Sequence, residues 1–259
     1  MGRKYTRTET IAQIEEAAKD MSTFYTATCI RHAGTTYKAD GARYYTEIIS
    51  EYLLEHYDLF NQIQKIKRGN YKIGSHNGTT PRETSNRKEE RIALALAQKK
   101  VLNPLGEVID YQVPLKSKQS DRAGKIDLMT FDESTGILRL IELKAPKSEE
   151  TLLRCVLEIY TYYKTVDMNE LLRSYGLDGK CKEVRICPLF FKGSTQNNEY
   201  NTLGNHGNLV GLMHKMSDDV KVELLRFPFE NIETVSPSTS YANGVTGCYT
   251  PCTPGAIVI

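Results

Sequence analysis

Gly124-Lys-Ile-Asp127-Leu-Met-Thr-Phe-Asp-Glu-Ser-Thr-Gly136-Ile-Leu-Arg-Leu-Ile-Glu142-Leu-Lys144 holds two apolar runs either side of a turn-forming Asp-Glu-Ser-Thr-Gly. Lys125–Phe131 and Ile137–Lys144 therefore read as the two arms of a β-hairpin. A turn centred between Ser134 and Thr135 sets Asp127 opposite Glu142. Directly opposed residues of an antiparallel pair share a face, with β-carbons about 5 Å apart. Lys144, two residues beyond Glu142, projects from the same face. Two carboxylates and one lysine thus converge at the end of the hairpin.

The flanks make that convergence costly. Ile126, Leu128, Leu140, Ile141 and Leu143 give both arms the apolar character of strands central to a sheet. Facing carboxylates there repel each other and lose solvation. A divalent cation held by carboxylate oxygens, waters and a substrate phosphate offsets both costs. A lysine beside it neutralises or orients a phosphate or an attacking water. The blander alternative sets Asp127 at a wet strand end and makes Glu142–Lys144 a surface ion pair. The apolar flanks, the opposed register and the helix expected after Pro146 weigh against it.

Outward from the hairpin, the pattern is α/β. Upstream, Val108–Leu115 is a strand, and Arg87–Lys100 a helix capped by Ser85 or Asn86 and ended by Pro104 and Gly106. Residues 69–86 are turn-rich and read as a loop. Ile11, Ile14, Ala18 and Met21 repeat at helical spacing, as do Tyr45, Ile48, Ile49, Tyr52, Leu53 and Phe60. Downstream, Glu149–Lys164 is a helix with Leu152, Val156, Ile159 and Tyr163 on one stripe. Val184–Phe191 reads as a buried strand and Val220–Phe227 as a last, edge strand. From about Thr234 the chain is rich in Ser, Thr, Pro and Gly and reads as an extended arm or poorly ordered tail. The division is a helical N-terminal extension (1–70), a core (71–233) and a C-terminal arm (234–259).

Composition bounds the function. The chain has 259 residues, 40% hydrophobic and 25% charged, within the range of folded soluble domains. No stretch of about 18 apolar residues suits a membrane span, and no apolar run behind the N-terminus marks a secretory signal. The expected location is cytoplasmic, with no membrane partner. Six scattered cysteines read as free thiols, and neither they nor the five histidines have zinc-site spacing. The net charge is only +2, but residues 61–125 hold fourteen Lys/Arg against six Asp/Glu, a local +8. That concentration suits a phosphate-facing surface.

Gly-x-Ile-Asp127, a hairpin and Ile-Glu142-Leu-Lys144 together resemble the PD-(D/E)XK, or restriction-endonuclease-like, phosphodiesterases. The resemblance spans roughly residues 85–195. It implies an α-β-β-β-α-β core, a mixed central sheet flanked by helices, here with an N-terminal helical extension. It implies that Asp127 and Glu142 bind a catalytic Mg²⁺, with Mn²⁺ as substitute, and that Lys144 activates or positions the water. Ile126 stands where the family name has proline; the E-x-K half is intact. The family often adds a glutamate from the helix before the sheet as a third metal ligand. Glu89 and Glu90 are both placed for it, with a slight preference for Glu90. RecB-like members carry Gln-x-x-x-Tyr on the following helix, where this chain has Glu158 and Tyr162. Glu158 equally suits an i, i+4 pair with Arg154.

By this resemblance the chain is a Mg²⁺-dependent nuclease leaving 5′-phosphate and 3′-hydroxyl ends, with DNA ahead of RNA as substrate. Lys65, Lys67, Arg68, Arg82, Arg87 and Lys88 would hold the phosphate backbone, giving affinity without sequence information. One rival is a catalytically inactive nucleic-acid-binding module on the same fold. Another is an enzyme acting on a small phosphorylated substrate. Against the latter, Gly193-Ser-Thr and Gly204-Asn-His-Gly read as isolated turns, not a phosphate loop. The sixteen tyrosines are assigned to packing rather than base stacking. A homo-oligomer is compatible with the sequence.

Overall fold

The computed structural model describes residues 4–72, 88–117, 123–228, 230 and 246–249. Helices α1 (Arg7–Ala17) and α2 (Tyr45–Glu55) come first, joined through short 3₁₀ turns. The centre runs α3 (Lys88–Gln98), β1 (Val101–Leu102), β2 (Gly106–Pro114), β3 (Lys125–Asp132), β4 (Ile137–Leu143), α4 (Leu152–Thr165), α5 (Met168–Tyr175) and β5 (Glu183–Phe191). It closes with α6 (Thr195–Asn201), α7 (Gly207–Met216), β6 (Lys221–Val222), β7 (Leu224–Phe227) and β8 (Thr246–Tyr249).

The strands form one open, mixed sheet in the order β1-β2-β3-β4-β5-β7-β8, with β6 pairing β5 alongside β7. β1 to β4 are antiparallel; β5 is parallel to β4, β6 and β7; β8 returns antiparallel to β7. The change from antiparallel to parallel falls between β4 and β5, where a parallel neighbour demands a long crossover. Helices α4 and α5 supply it. The β3–β4 hairpin has the register that its turn implies: Leu128 faces Ile141, Met129 faces Leu140 and Asp132 faces Ile137.

Both central strands are buried on both faces, which is why their sequence reads as nearly continuous apolar runs. On one face Met129, Phe131, Leu138 and Leu140 pack with Leu152, Val156 and Ile159 of α4. Ile14, Ile48, Leu53 and Phe60 belong to that same cluster. The N-terminal helices thus share a core with the sheet. On the other face Leu128, Ile141, Leu143 and Leu189 pack with Ile92 and Leu96 of α3.

Several expectations change. The strand expected over Val220–Phe227 is two short strands, interrupted where Glu223 turns to bond Arg139 Nε at 2.8 Å. It is not an edge, because β8 pairs with β7; these four residues of the expected arm cover an otherwise open row of backbone groups. The other residues of 231–259 lie outside the described residues. The 204–207 stretch, read as an isolated turn, leads into α7. Asn208 N and Leu209 N each donate to Glu47 of α2 at 2.9 Å. A carboxylate distant in sequence thus satisfies the helix's first amides and complements its dipole. Glu47→Ala is expected to destabilise the fold by about 1–2 kcal/mol, read from chemical unfolding; no change in midpoint would show that water caps α7 equally well.

Cys29, Cys155, Cys181 and Cys187 are free thiols. No helix among the described residues is long and apolar enough to cross a membrane.

Candidate active site

Asp127 lies near the start of β3, Glu142 near the end of β4, and Lys144 just past it, where Lys144 N donates to Leu189 O at 2.9 Å. That bond carries the β4–β5 pairing one step beyond the strand and fixes the backbone under the lysine. Lys144 Nζ is 2.8 Å from Glu142 Oε1, 2.7 Å from Glu158 Oε2 and 3.1 Å from Glu150 Oε2. Glu142 and Lys144 are each only 4% exposed. The ion pair is therefore far from the surface pair of the blander reading.

Asp127 is held from two directions. Its Oδ2 accepts from Leu143 N at 2.9 Å and its Oδ1 from Gln112 Nε2 at 2.6 Å. Gln112, on β2, has a φ of 48°, a left-handed conformation that costs a non-glycine residue about 1 kcal/mol or more. Such strain inside a strand is maintained only where its surroundings dictate it. Here it accompanies the aiming of a carboxamide at Asp127, and nothing in the local sequence announces it.

Helix α4 supplies the other wall. Glu158 Oε1 accepts from the Tyr162 hydroxyl at 3.0 Å, while Oε2 faces Lys144. Arg154 pairs with Glu150, not with Glu158. Of the two sequence readings of Glu158, the structure places it on the lysine. Tyr162 leans over Gly124, where any side chain would overlap its hydroxyl. Gly124→Ala is expected to push Tyr162 off Glu158 and cost about 1–3 kcal/mol, as overpacking in a buried site does. The check is thermal unfolding beside Tyr162→Phe, which loses only the hydroxyl; equal stability of Gly124→Ala and wild type would deny the close fit.

Glu89 and Glu90 separate clearly. Glu89 shares its stripe with Ile92 and Leu96, which face the sheet, and its Oε1 accepts from Ala145 N at 3.1 Å. Glu90 lies within electrostatic reach of Tyr111 on β2. Against the slight preference for Glu90, it is Glu89 whose carboxylate approaches the strand end beside Lys144; the Glu90 stripe also meets the core, through Ala93, Leu94 and Ala97.

Burial decides the protonation of the group. Desolvation, with Glu89 and Glu158 adding to it, pushes Asp127 up to about 7. Burial, Asp127 and Glu158 push Glu142 well above the ordinary carboxylate range. Burial would lower Lys144, but Glu142 and Glu158 hold it well above its usual value, so it stays an ammonium. Burial works upward on Glu158 too, yet Lys144 and the bonds it receives bring it below the usual value. The centre thus holds one firm cation and more carboxylate than that cation can balance.

Comparisons of the chain with protein-family models, with curated proteins and with solved structures find no match. The chemistry of the site stands on its own residues.

Among the described residues no group of three or more His, Cys, Asp or Glu side chains is arranged to hold a metal ion. The donor chemistry nevertheless fits a hard divalent cation. Glu142 Oε2 is buried without a hydrogen-bond partner, and carboxylate oxygens are what Mg²⁺ takes. Asp127 and Glu142 are the residues that would hold it; of the neighbouring carboxylates, Glu89 acts on Asp127 and Glu158 on both.

The basic residues fall into three groups. Lys65, Lys67 and Lys88 are exposed. Arg68 is committed elsewhere: its guanidinium donates to Asn70 O at 2.7 Å and to Lys116 O, and lies 5.8 Å from the Tyr71 ring. It ties the 68–70 backbone to that of Lys116, so a phosphate would have to displace backbone carbonyls to reach it. Arg82 and Arg87 lie outside the described residues. Gln112 and Glu150 are the members of the site that sequence reasoning missed.

Proposed function

We propose that this chain is a Mg²⁺-dependent nuclease that hydrolyses phosphodiester bonds of nucleic acid, DNA ahead of RNA, on a restriction-endonuclease-like core. The observation that carries the reading is the buried convergence of Asp127, Glu142 and Lys144, whose desolvation costs stability. Two further features support it. The order α3-β1-β2-β3-β4-α4-α5-β5 contains the α-β-β-β-α-β succession that the resemblance implies, with the two-residue β1 and the short α5 in addition, and Glu158, bonded by Tyr162, meets the lysine from the helix that follows.

Bound by Asp127 and Glu142, Mg²⁺ would supply Lewis acidity toward a phosphate oxygen and a more acidic bound water. The chain's own groups do the rest. Gln112 and the Leu143 amide hold Asp127 in one orientation. Glu142 and Glu158 hold the Lys144 ammonium at the strand end, where it offsets negative charge growing on the phosphate. Tyr162 in turn fixes Glu158. Glu150 is the most exposed partner of Lys144 and the most distant, so it is the contact that a substrate phosphate displaces. Its carboxylate then stays on Arg154. Lys65, Lys67 and Lys88 offer exposed charge for neighbouring phosphates, a contribution that weakens as salt rises.

The test is incubation of plasmid DNA, single-stranded DNA and RNA with the full chain, with Mg²⁺, Mn²⁺ or chelator. Metal-dependent cutting with 5′-phosphate ends is expected. A folded preparation that binds nucleic acid but cuts none of these substrates would favour the binding module, with Lys144 permanently held by its three carboxylates.

A further inference from the structure

A cavity of about 270 Å³ opens beside the active centre, between the 20–25 segment, the 62–66 segment, Ala123 and the last turns of α4. Tyr162 belongs to both. From the cavity wall its hydroxyl reaches Glu158, which holds Lys144, so an occupant lies two side chains away from the lysine. The volume is slightly below that of small-molecule pockets, about 300–1,000 Å³. It suits a single ring system rather than a duplex.

The lining selects the chemistry of that ring. Among the described residues no lysine or arginine lines the cavity, and the one charged side chain is Asp20, whose carboxylate is bonded to Ser22 and to Thr23 Oγ1 at 2.9 Å. Tyr25 and Tyr162 stand edge to face with centroids 5.7 Å apart, offering aromatic surface next to the small Ala123. At the rim, Gln62 and Gln64 are exposed. Gln64 Nε2 donates to Gln62 O at 3.2 Å, and the Gln62 carboxamide makes no hydrogen bond among the described residues. Aromatic side chains in the wall with amide donors and acceptors at the rim are what a neutral planar heterocycle requires.

We propose that this cavity is a nucleobase subsite that takes one unstacked, unpaired base adjacent to the scissile phosphate. The inference rests on the nuclease reading and names its substrate as single-stranded nucleic acid. A base held in a duplex stays stacked and paired and is excluded unless it is first extruded.

The test is fluorescence anisotropy with the full chain and Ca²⁺ in place of Mg²⁺. The probes are a labelled mixed-sequence single strand, an abasic strand of the same length and the corresponding duplex. The base-bearing strand is expected to bind about tenfold more tightly than the abasic one, as stacking of one base provides. Ala123→Phe, which fills the cavity, should erase that margin and leave abasic binding unchanged. The exposed double change Gln62→Ala with Gln64→Ala should reduce the margin without threatening the fold. Equal binding of base-bearing and abasic strands overturns the subsite, as do equal losses on both strands in the variants, tightest binding to duplex, or no binding. Metal-dependent cutting with no preference for bases would sink the subsite and spare the nuclease reading. A base-dependent margin without any cutting would do the reverse.

Discussion

Asp127→Asn is expected to abolish Mg²⁺-dependent cleavage and, in the same protein, to raise stability at pH 8. The two effects share a cause. Burial holds the Asp127 carboxyl near 7 in the fold, against 3.8 ordinarily. Between about pH 4 and 7 the unfolded chain gives up this proton and the folded chain keeps it, so stability falls as pH rises through that window. Above about 7 both states are ionised and the whole cost is present, at most about 4 kcal/mol. The amide that replaces the carboxylate carries no such cost. It still accepts from Leu143 N, and it can donate to Gln112 once that carboxamide turns over. Denaturant unfolding in chelator should show a gain of about 1–4 kcal/mol at pH 8 and a flatter profile between pH 4 and 7. Cleavage should drop by about a thousandfold or more, because the amide is a poor ligand and leaves the charge on the phosphate unmatched. A variant that gains stability while losing activity marks a group kept for its chemistry. If stability falls instead, Asp127 is a structural residue.

Lys144→Ala is expected to act on stability in the opposite direction. The lysine is the common partner of Glu142 and Glu158, both nearly buried. Removing one partner from a buried ionic cluster costs about 3–5 kcal/mol, because the remaining charges keep their desolvation penalty. Here the remaining charges are carboxylates that also repel each other. They relieve the strain by taking protons, so their carboxyl groups titrate higher in the variant's fold than in its unfolded chain. The loss is therefore largest at pH 8 and shrinks toward pH 5, which unfolding at the two pH values will show. A loss independent of pH would mean that the cost is lost packing of the lysine stem. Because this variant is fragile, its inactivity is informative only at temperatures where it is shown to be folded. Asp127→Asn has no such weakness.

How far the sequence carried depended on the distance over which each feature is determined. The β3–β4 hairpin follows from a turn and its flanking runs. Once its register is set, Asp127, Glu142 and Lys144 share a face with no knowledge of the rest of the chain. Tyr162 and Glu158 were visible as an i, i+4 pair. Which way Glu158 faced was not, because Arg154 sits at the same spacing; Glu150, a turn before Arg154, takes the guanidinium and frees Glu158 for Lys144. Glu89 and Glu90 head adjacent stripes that are both apolar, and Ile92, Ala93, Leu94 and Leu96 are all buried. Only the docking of α3 separates them. Gln112 and Glu47 act entirely through partners from other elements, one across a strained strand and one across two packed helices. No local pattern could have announced either.

The most direct measurement is cleavage of single-stranded and plasmid DNA by wild type and Asp127→Asn side by side, at pH 8, with Mg²⁺ and with chelator, both proteins shown to be folded. The carboxylate–lysine site predicts cutting by wild type with Mg²⁺ alone and none by the variant under either condition. Cutting that survives the substitution or the chelator, or a folded wild type that leaves every strand intact, contradicts it.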